Sequence, residues 1–283
     1  MNTRTDPPGG LPAPDDGQLT YVYAVGRERP APHDPASRPA GVDGGPLYPV
    51  TAGGLCALVS RVPAETFGTS GLTAQLEDLE RLEALARVHH AVVDAAFAEA
   101  PVLPMRLATV YLDDAGVAGT LLRRREEFDD LLGRLEGHVE LGLKVYADPR
   151  TADAPAPDPA ATTTGAGAGR AYLRQRQASR RSGRDAHRAA SDLVDRAARL
   201  TRDIAAARVV HRPQQGRLAA RPGVNVANEA YLVPRSRAGE LRRALTGLAD
   251  GVAGVAVEVT GPWAPYSFAT APSAQEGDGG EGR

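Results

Sequence analysis

The chain has 283 residues, of which 42% are hydrophobic and 24% charged, and this balance excludes a largely disordered protein. The formal net charge of −2 excludes a general electrostatic attraction to nucleic acid or to an anionic membrane. With one cysteine and no run of about 18 apolar residues, the sequence predicts neither an intramolecular disulfide nor a transmembrane helix, and the cytoplasm is the expected location.

Several segments have compositions that predict loops or tails. Residues 1–18 and 270–283 are rich in Pro, Gly and acidic residues, and residues 148–169 are rich in Asp, Pro, Ala, Thr and Gly. Such segments bury too little apolar surface to offset their conformational entropy. A further Pro-rich loop is expected at 27–46. Because residues 1–18 have no apolar core, they are not expected to be a signal peptide.

The first ordered part of the chain opens with short apolar, β-prone runs. They predict a strand at 19–25 and two strands at 47–51 and 54–61 that are paired by a tight turn. A long amphipathic helix follows, because apolar residues recur at steps of three and four between Leu72 and Ala100. This part is therefore expected to be an N-terminal α+β domain at 19–136.

The remaining elements alternate between the two types of secondary structure. The predicted segments are, in order, a strand at 102–111, a helix at 117–135, a strand at 139–147, a long Arg- and Ala-rich helix at 170–209, strands at 207–212 and 223–234, a helix at 238–249 and a strand at 252–260. From residue 139 this order is βαββαβ, the pattern of a ferredoxin-like sandwich. The sequence thus predicts an α+β protein of two domains, with a C-terminal ferredoxin-like domain at 137–269.

Four short segments carry unusual motifs. They are the opening strand Tyr21–Val25, the run Val102–Val110 downstream of a helix with His89-His90, the segment Asn228–Val233, and Gly261–Phe268. Together they resemble the gas vesicle GvpL/GvpF family over nearly the whole ordered chain. The family usually has an aromatic residue and a Gly where this chain has Leu107 and Ala108, and a second Pro where Ala264 stands.

The resemblance implies a minor gas vesicle component or assembly factor. Such a protein would bind the small hydrophobic shell protein GvpA and other Gvp accessory proteins, and it would act at the gas vesicle or in the cytoplasm. The resemblance implies no enzymatic activity, catalytic residue, cofactor, metal or small-molecule substrate. The motif residues that become structural or partner-binding candidates are His89, Pro104, Arg106, Thr109, Asn228, Tyr231, Gly261, Pro262, Trp263, Pro265, Tyr266 and Phe268.

Two of these candidates have competing interpretations. His89 lies on the apolar stripe of its helix, which predicts a buried ring held by a hydrogen bond. The alternative is a metal site formed by His89 or His90 with Asp94, for which the spacing offers no third ligand. Arg106 is expected in a half-buried strand, where it would anchor an ion pair or cap a helix, and the alternative is an arginine that binds a partner.

The C-terminal aromatic cluster of Trp263, Tyr266 and Phe268 predicts a strap that docks the end of the chain, and the alternative is an exposed hot spot for a partner. The segment 170–188 has seven Arg and one acidic residue, which is compatible with a solvated helix face or an acidic partner. An RNA-binding or small-molecule-sensing ferredoxin-like protein is the alternative function. The segment 223–234 argues against RNA, since it offers only Tyr231 for base stacking.

Overall fold

The structure, a computed structural model, describes residues 17–29, 39–148, 166–213 and 223–270. These residues form two compact units, the first within Met1–Glu136 and Ala264–Arg283, the second within Gly137–Trp263. Residues 264–270 thus group with the first unit. The sequence predicted instead that the C-terminal domain extends to residue 269. Most of the predicted tails and of the predicted 148–169 loop lie outside the described residues.

The first unit contains one antiparallel sheet. Its strands are β1 (Gln18–Arg27), β2 (Tyr48–Ala52), β3 (Leu55–Pro63), β4 (Val102–Pro104) and β5 (Val110–Tyr111). The order is β2-β3-β1-β4, and β5 also pairs with β1. The predicted tight turn between β2 and β3 is confirmed, because Gly53 and Gly54 have φ angles of 62° and 82° that glycine adopts readily.

The helices of the first unit are α1 (Ala64–Phe67), α2 (Thr69–Glu77), α3 (Leu79–Glu99), α4 (Asp114–Arg123) and α5 (Arg125–Leu135). The prediction of one unbroken helix from Leu72 to Ala100 is wrong. The side chain of Asp78 accepts the backbone N–H groups of Glu80 and Arg81, so that it caps a new helix at this point. The predicted helix at 117–135 is likewise broken, at Arg124.

The predicted strand at 102–111 is also wrong in its middle. Only its ends pair with β1, as β4 and β5, and a turn at 105–109 separates them. The carbonyl oxygen of Arg106 accepts hydrogen bonds from Thr109, through its backbone N–H and its hydroxyl. A backbone carbonyl that is bonded within its own turn is not available to a neighbouring strand, which explains the interruption.

The second unit is a four-stranded antiparallel sheet with two helices. Its elements are β6 (His138–Ala147), α6 (Ala166–Thr201), β7 (Ala207–His211), β8 (Val224–Pro234), α7 (Ala238–Thr246) and β9 (Val255–Trp263), and the sheet order is β7-β8-β6-β9. The predicted mixture of helix and sheet is confirmed. The long helix differs at both ends, since it starts inside the expected loop and ends at Thr201.

Small and apolar residues of α6 recur at alternating steps of four and three from Ala186 onward, which predicts a heptad seam, and this seam is buried over most of its length within the helix. Ala186, Ala190, Leu193 and Ala197 are each at most 2% exposed, and the helix packs against β6 and β8. The small side chains allow the helix axis to lie close to the sheet. The part of α6 that can be described before Ala186 has exposed side chains, so only the C-terminal half of the helix belongs to the core of this unit.

Candidate functional site

The turn at 105–109, here called the Arg106 turn, lies in the first unit and is held to β1 at both ends. The backbone N–H of Met105 donates to the carbonyl of Tyr23 over 2.9 Å, and the N–H of Val22 donates to the carbonyl of Thr109 over 2.9 Å. Ala108 has a φ of 62°, a left-handed conformation that costs a residue with a Cβ about 1 kcal/mol relative to glycine. The turn is therefore a fixed, mildly strained structure.

His89 supports the Arg106 turn from inside the core. The ring is 3% exposed, its Nδ1 lies 2.9 Å from the hydroxyl of Tyr21, and its Nε2 lies 3.1 Å from the carbonyl oxygen of Met105. The same tyrosine hydroxyl accepts the backbone N–H of Ala108 over 3.0 Å. The prediction of a buried, hydrogen-bonded histidine is confirmed. His89 contacts the turn directly at Met105 and through the hydroxyl of Tyr21 at Ala108.

The hydrogen bonds of His89 fix its tautomer. A carbonyl oxygen only accepts, so Nε2 must carry the proton that is donated to Met105. In the neutral ring Nδ1 is then an acceptor, and the hydroxyl of Tyr21 donates to it while receiving the N–H of Ala108. The neutral ring thus satisfies every group in this chain of hydrogen bonds, whereas a protonated ring would direct two hydrogens at the Tyr21 hydroxyl and leave its O–H without this acceptor.

Burial lowers the pKa of His89 to about 4, and the hydrogen bond to Met105 opposes this shift. Because an unfolded histidine has a pKa of about 6.5, the native state binds fewer protons than the unfolded state between these two values. The free energy of unfolding should therefore fall by about 2 to 3 kcal/mol as the pH drops from about 7.5 to about 4.5, and this contribution should level off below the folded pKa. Urea unfolding at the two pH values measures the change.

The variant His89→Gln is the control for this pH dependence, because glutamine can replace part of the hydrogen bonding but does not titrate. Over the same pH range the free energy of unfolding of this variant should fall by about 2 to 3 kcal/mol less than that of the wild type. The fall that remains would come from carboxylates. Identical losses in both proteins would show that His89 is not held neutral by the fold.

A shallow groove lies beside the Arg106 turn. Its volume is about 510 Å³, and the residues that line it are Glu83, Ala86, Arg87, His89, His90, Leu107 and Tyr266. The ring of Tyr266 lies over the two histidines, with centroid distances of 6.4 Å to His89 and 6.0 Å to His90. The groove thus has an apolar and aromatic floor with charged groups at its rim.

Arg106 lies at the tip of the turn and is exposed, so the prediction of a half-buried strand position is wrong. None of the carboxylates in the described part of the chain pairs with it. Its expected role as a structural ion-pair anchor is therefore not what the structure shows. Pro104 is buried in β4 opposite Ala24, and Thr109 closes the turn through its hydroxyl, 2.7 Å from the Arg106 carbonyl.

The C-terminal motif divides between the two units. Gly261, Pro262 and Trp263 end β9 in the second unit, and Trp263 remains 37% exposed. Gly261 has a φ of 96°, and a Cβ there would lie 2.4 Å from the Glu140 carbonyl, so only glycine fits. In the first unit Ala264 is fully buried in the core cluster, Pro265 is buried, and Tyr266 and Phe268 are half-buried. The first unit therefore anchors the part of the motif that starts at Ala264.

The side chains of His90 and Asp94 are in contact on α3, with 3.1 Å between Nε2 and Oδ2. Partial burial raises the pKa of Asp94, and the neighbouring His90 acts in the opposite direction. The metal interpretation would need a third ligand, and no group of three such side chains occurs within the ranges that the structure describes. His90 also lies 3.5 Å from the hydroxyl of Tyr266, which connects the pair to the groove.

A polar network centred on Asp114 was not predicted from the sequence. Asp114 is 4% exposed and accepts hydrogen bonds from Thr20 at 2.7 Å, from Tyr48 at 3.0 Å and from Arg61 at 2.9 Å. Burial raises the pKa of Tyr48 to about 12, and its hydrogen bond to Asp114 acts in the same direction. The network joins α4 to three strands of the sheet. The only sequence signal for it is an Arg in the otherwise apolar run of β3.

Tyr231 and Asn228 belong to the second unit, whereas the residues that line the groove belong to the first. Tyr231 is fully buried and donates a hydrogen bond to Glu229, which is 2% exposed and also binds both Nε and Nη2 of Arg208. The amide of Asn228 donates to the carbonyl of Arg212 over 3.5 Å, next to the end of β7. A fully buried tyrosine cannot stack on bases, so Tyr231 gives no support to an RNA-binding sheet.

Comparison with known proteins gives consistent matches. The family model described as "Gas vesicle synthesis protein GvpL/GvpF" matches residues 19–270. The chain is 43% identical over 255 residues to "Gas vesicle protein L" of Streptomyces sp. (strain CB03234), covering 89% of this chain and 93% of that protein. It is 29% identical over 265 residues to "Gas vesicle protein F" of the same strain, covering 88% and 98%.

Two crystal structures share this fold. GvpF from Anabaena sp. PCC7120 aligns with a TM-score of 0.63 at 16% identity, covering 90% of this chain and 98% of that one. GvpF from Microcystis aeruginosa aligns with a TM-score of 0.61 at 16% identity, covering 89% and 99%. In the ranges described above, no helix is long and apolar enough to cross a membrane.

Proposed function

The chain belongs to the gas vesicle GvpL/GvpF family, and from that premise we propose that it is an accessory protein of gas vesicle assembly that binds the shell protein GvpA and other Gvp proteins. It would act as a minor vesicle component, at the vesicle or in the cytoplasm, by adhesion and not by catalysis. The observation that carries this proposal is the groove beside the Arg106 turn.

The groove suits a hydrophobic polypeptide partner. Leu107, Ala86 and Tyr266 give it apolar and aromatic surface, and a groove of this kind is a usual site for an apolar segment. Arg106, the neighbour of Leu107 in the turn, is exposed, and its guanidinium can bind a carboxylate or a carbonyl of the partner. Tyrosine and arginine are also the side chains that most often carry binding energy at interfaces.

The surroundings of the groove favour binding over chemistry. Both ring nitrogens of His89 are engaged inside the core, His90 pairs with Asp94, and Glu83 pairs with Arg87 over 2.8 Å. His89 therefore has no ring nitrogen left to exchange a proton with a ligand in the groove. The rigid hydrogen-bonded turn instead lowers the conformational entropy that is lost when a partner binds.

The proposal includes a domain assignment for the two units. We take the first unit as the N-terminal α+β domain, now including 264–270, and the second as a ferredoxin-like domain at 137–263. The strand order β7-β8-β6-β9, with α6 and α7 as the two connecting helices, supports the second assignment. The fold alone does not choose the function, which is why the proposal depends on the groove and the family.

A charge introduced into the groove should weaken GvpA binding. In the variant Leu107→Asp, an aspartate that must be desolvated against apolar partner surface should weaken the complex by about 2 kcal/mol or more, a loss of roughly 30-fold. The measurement is recovery of GvpA with the tagged protein, together with vesicle formation when the variant complements a deletion strain.

Leu122→Asp is the matched control, because Leu122 is a leucine of the same unit that is 58% exposed and does not line the groove. It should bind GvpA and support vesicles like the wild type. Equal behaviour of the two variants would reject the groove as the site. Normal vesicles in the deletion strain, with no recovery of GvpA by the wild type, would reject the proposed function itself.

A further inference from the structure

The long helix α6 has two halves with different surroundings. From Ala186 onward, one side of the helix is buried in the core of the second unit. Between 176 and 185, in contrast, no side chain is buried, and residues 176–181 are all exposed. An isolated helical segment of this length is only marginally stable in water, and residues 176–185 lack the packing that stabilises the helix from Ala186 onward.

Arginines form a stripe along the less supported half. Arg176, Arg180, Arg184 and Arg188 follow one another at steps of four, which places neighbours on one face about 6 Å apart. At 100° per residue, Arg184 and Arg188 lie about 160° around the helix from the buried Ala186. By the same rule Arg180 lies about 120° and Arg176 about 80° from Ala186, and the side chains of all four arginines are exposed. These four residues are here called the arginine stripe.

The arginine stripe has almost no acidic partners. Only Arg188 reaches a carboxylate among the described residues, that of Asp185 at 3.7 Å. Some other helical arginines of the chain pair with an acid four residues away, for example Arg87 with Glu83 and Arg125 with Asp129. Like charges four residues apart destabilise a helix, so the stripe weakens the half of α6 that already lacks packing.

The imbalance of charge is confined to this half of the helix. Residues 176–188 hold five Arg and one Asp, whereas residues 189–201 hold two Arg and two Asp. A coding preference for Arg over Lys explains the residue type but not this segregation of charge. Carboxylates of a partner would offset the repulsion between the arginines, and the partner's surface would supply the packing that this part of α6 lacks.

We propose that the arginine stripe is a docking surface for an acidic helix of a partner protein. Glutamates or aspartates at every fourth position of a helix repeat at about 6 Å, the spacing of the arginines, and the guanidinium fork pairs with carboxylates in two parallel hydrogen bonds. The surface is separate from the groove in the first unit and does not depend on the identity of the groove's partner.

Nucleic acid fits the same surface less well. The side chains described between 176 and 201 include no Phe, Tyr or Trp for base stacking, and the whole chain carries a net charge of −2. An oligonucleotide is therefore the competing ligand in the test.

The test uses the full chain and a labelled helical peptide of about 20 residues with glutamate at every fourth position of one face. Fluorescence anisotropy at about 50 mM and 300 mM NaCl measures its binding, with a glutamine peptide and an RNA oligonucleotide as comparison probes. The wild type should bind the glutamate peptide in a saturable, salt-sensitive way, and bind the other two probes at least about tenfold more weakly.

The variant R180E/R184E should lose at least about tenfold in affinity for the glutamate peptide, because attraction becomes repulsion. The matched control R196E/R199E changes two exposed arginines of the packed half and should stay within about twofold. A peptide with arginine in place of glutamate should bind R180E/R184E and not the wild type. Absence of binding by the wild type, equal losses in both variants, or tighter binding of RNA than of the peptide would overturn the proposal.

Discussion

Replacing Arg208 by methionine should lower the free energy of unfolding of the second unit by about 3 kcal/mol. Glu229 has a side chain that is 1% exposed and is held by two hydrogen bonds from Arg208 and one from Tyr231. Without the guanidinium the carboxylate stays buried with the tyrosine as its remaining charge-stabilising donor, and an uncompensated buried charge costs about 3 to 5 kcal/mol. We expect the lower end of this energy range because the side chain of Arg208 is itself 39% exposed. Urea unfolding measures the loss.

The double variant Arg208→Met, Glu229→Gln separates the charge from the packing. Glutamine keeps an acceptor for the hydroxyl of Tyr231 but carries no charge, so the double variant should recover about 2 kcal/mol of the loss. The backbone amides of β7 should exchange hydrogen fastest in the single variant, more slowly in the double variant and slowest in the wild type, since Arg208 ties this edge strand to β8. If Arg208→Met alone were as stable as the wild type, the ion pair would contribute nothing to the stability of the second unit.

Replacing Asp114 by alanine should destabilise the first unit by about 3 to 4 kcal/mol. The change removes the acceptor of Thr20, Tyr48 and Arg61 together, and it leaves the guanidinium of Arg61, whose side chain is 18% exposed, without its carboxylate. Buried donors without acceptors cost about 1 to 3 kcal/mol each, with partial relief from water at the edge of the network. Urea unfolding at neutral pH measures the effect.

Its neighbour Asp113 supplies the control. Asp113 accepts the backbone N–H of Gly116 over 2.7 Å and caps α4, so Asp113→Ala should cost only about 1 kcal/mol. Each variant replaces one aspartate by alanine, and the two positions are adjacent in sequence. Comparing them therefore removes any general effect of losing a negative charge at the start of α4. If both destabilised the protein equally, the network around Asp114 would have no role beyond that of a helix cap.

The spacing of apolar residues in the sequence predicted those helices and strands that bury a single apolar face. The alternation in β3 and the four-three spacing of Ala186, Ala190 and Leu193 in α6 each bury one face, so the pattern carries the information. The Gly53-Gly54 turn was predicted for the same reason, because its backbone conformation depends on two local residues. Local patterns of this kind are readable without knowing the tertiary structure.

The breaks inside the long elements were missed because single polar groups create them. Asp78 ends one helix and caps the next, and the Arg106 carbonyl turns away from β1 to meet Thr109. In both places the surrounding hydrophobic pattern continues across the break. Propensity and periodicity average over about 10 residues, whereas a cap or a turn is decided by one hydrogen bond.

The candidate site was predictable in its residues and not in its geometry. The motifs named His89, Arg106 and Tyr266, but the contacts between them depend on pairs that are far apart in sequence, such as Tyr21 with His89 and Tyr266 with His90. Pairing of side chains over such distances is set by the sheet register and helix packing. The same reason hides the networks of Asp114 and Glu229 from sequence analysis.

Site-specific crosslinking tests the central claim, that the groove beside the Arg106 turn binds the gas vesicle shell protein. A photoreactive benzoylphenylalanine at position 107 should crosslink to GvpA in cells that assemble gas vesicles, and the same residue at position 122 should not. Crosslinks to GvpA that are absent from position 107, or equally strong from both positions, would contradict the account.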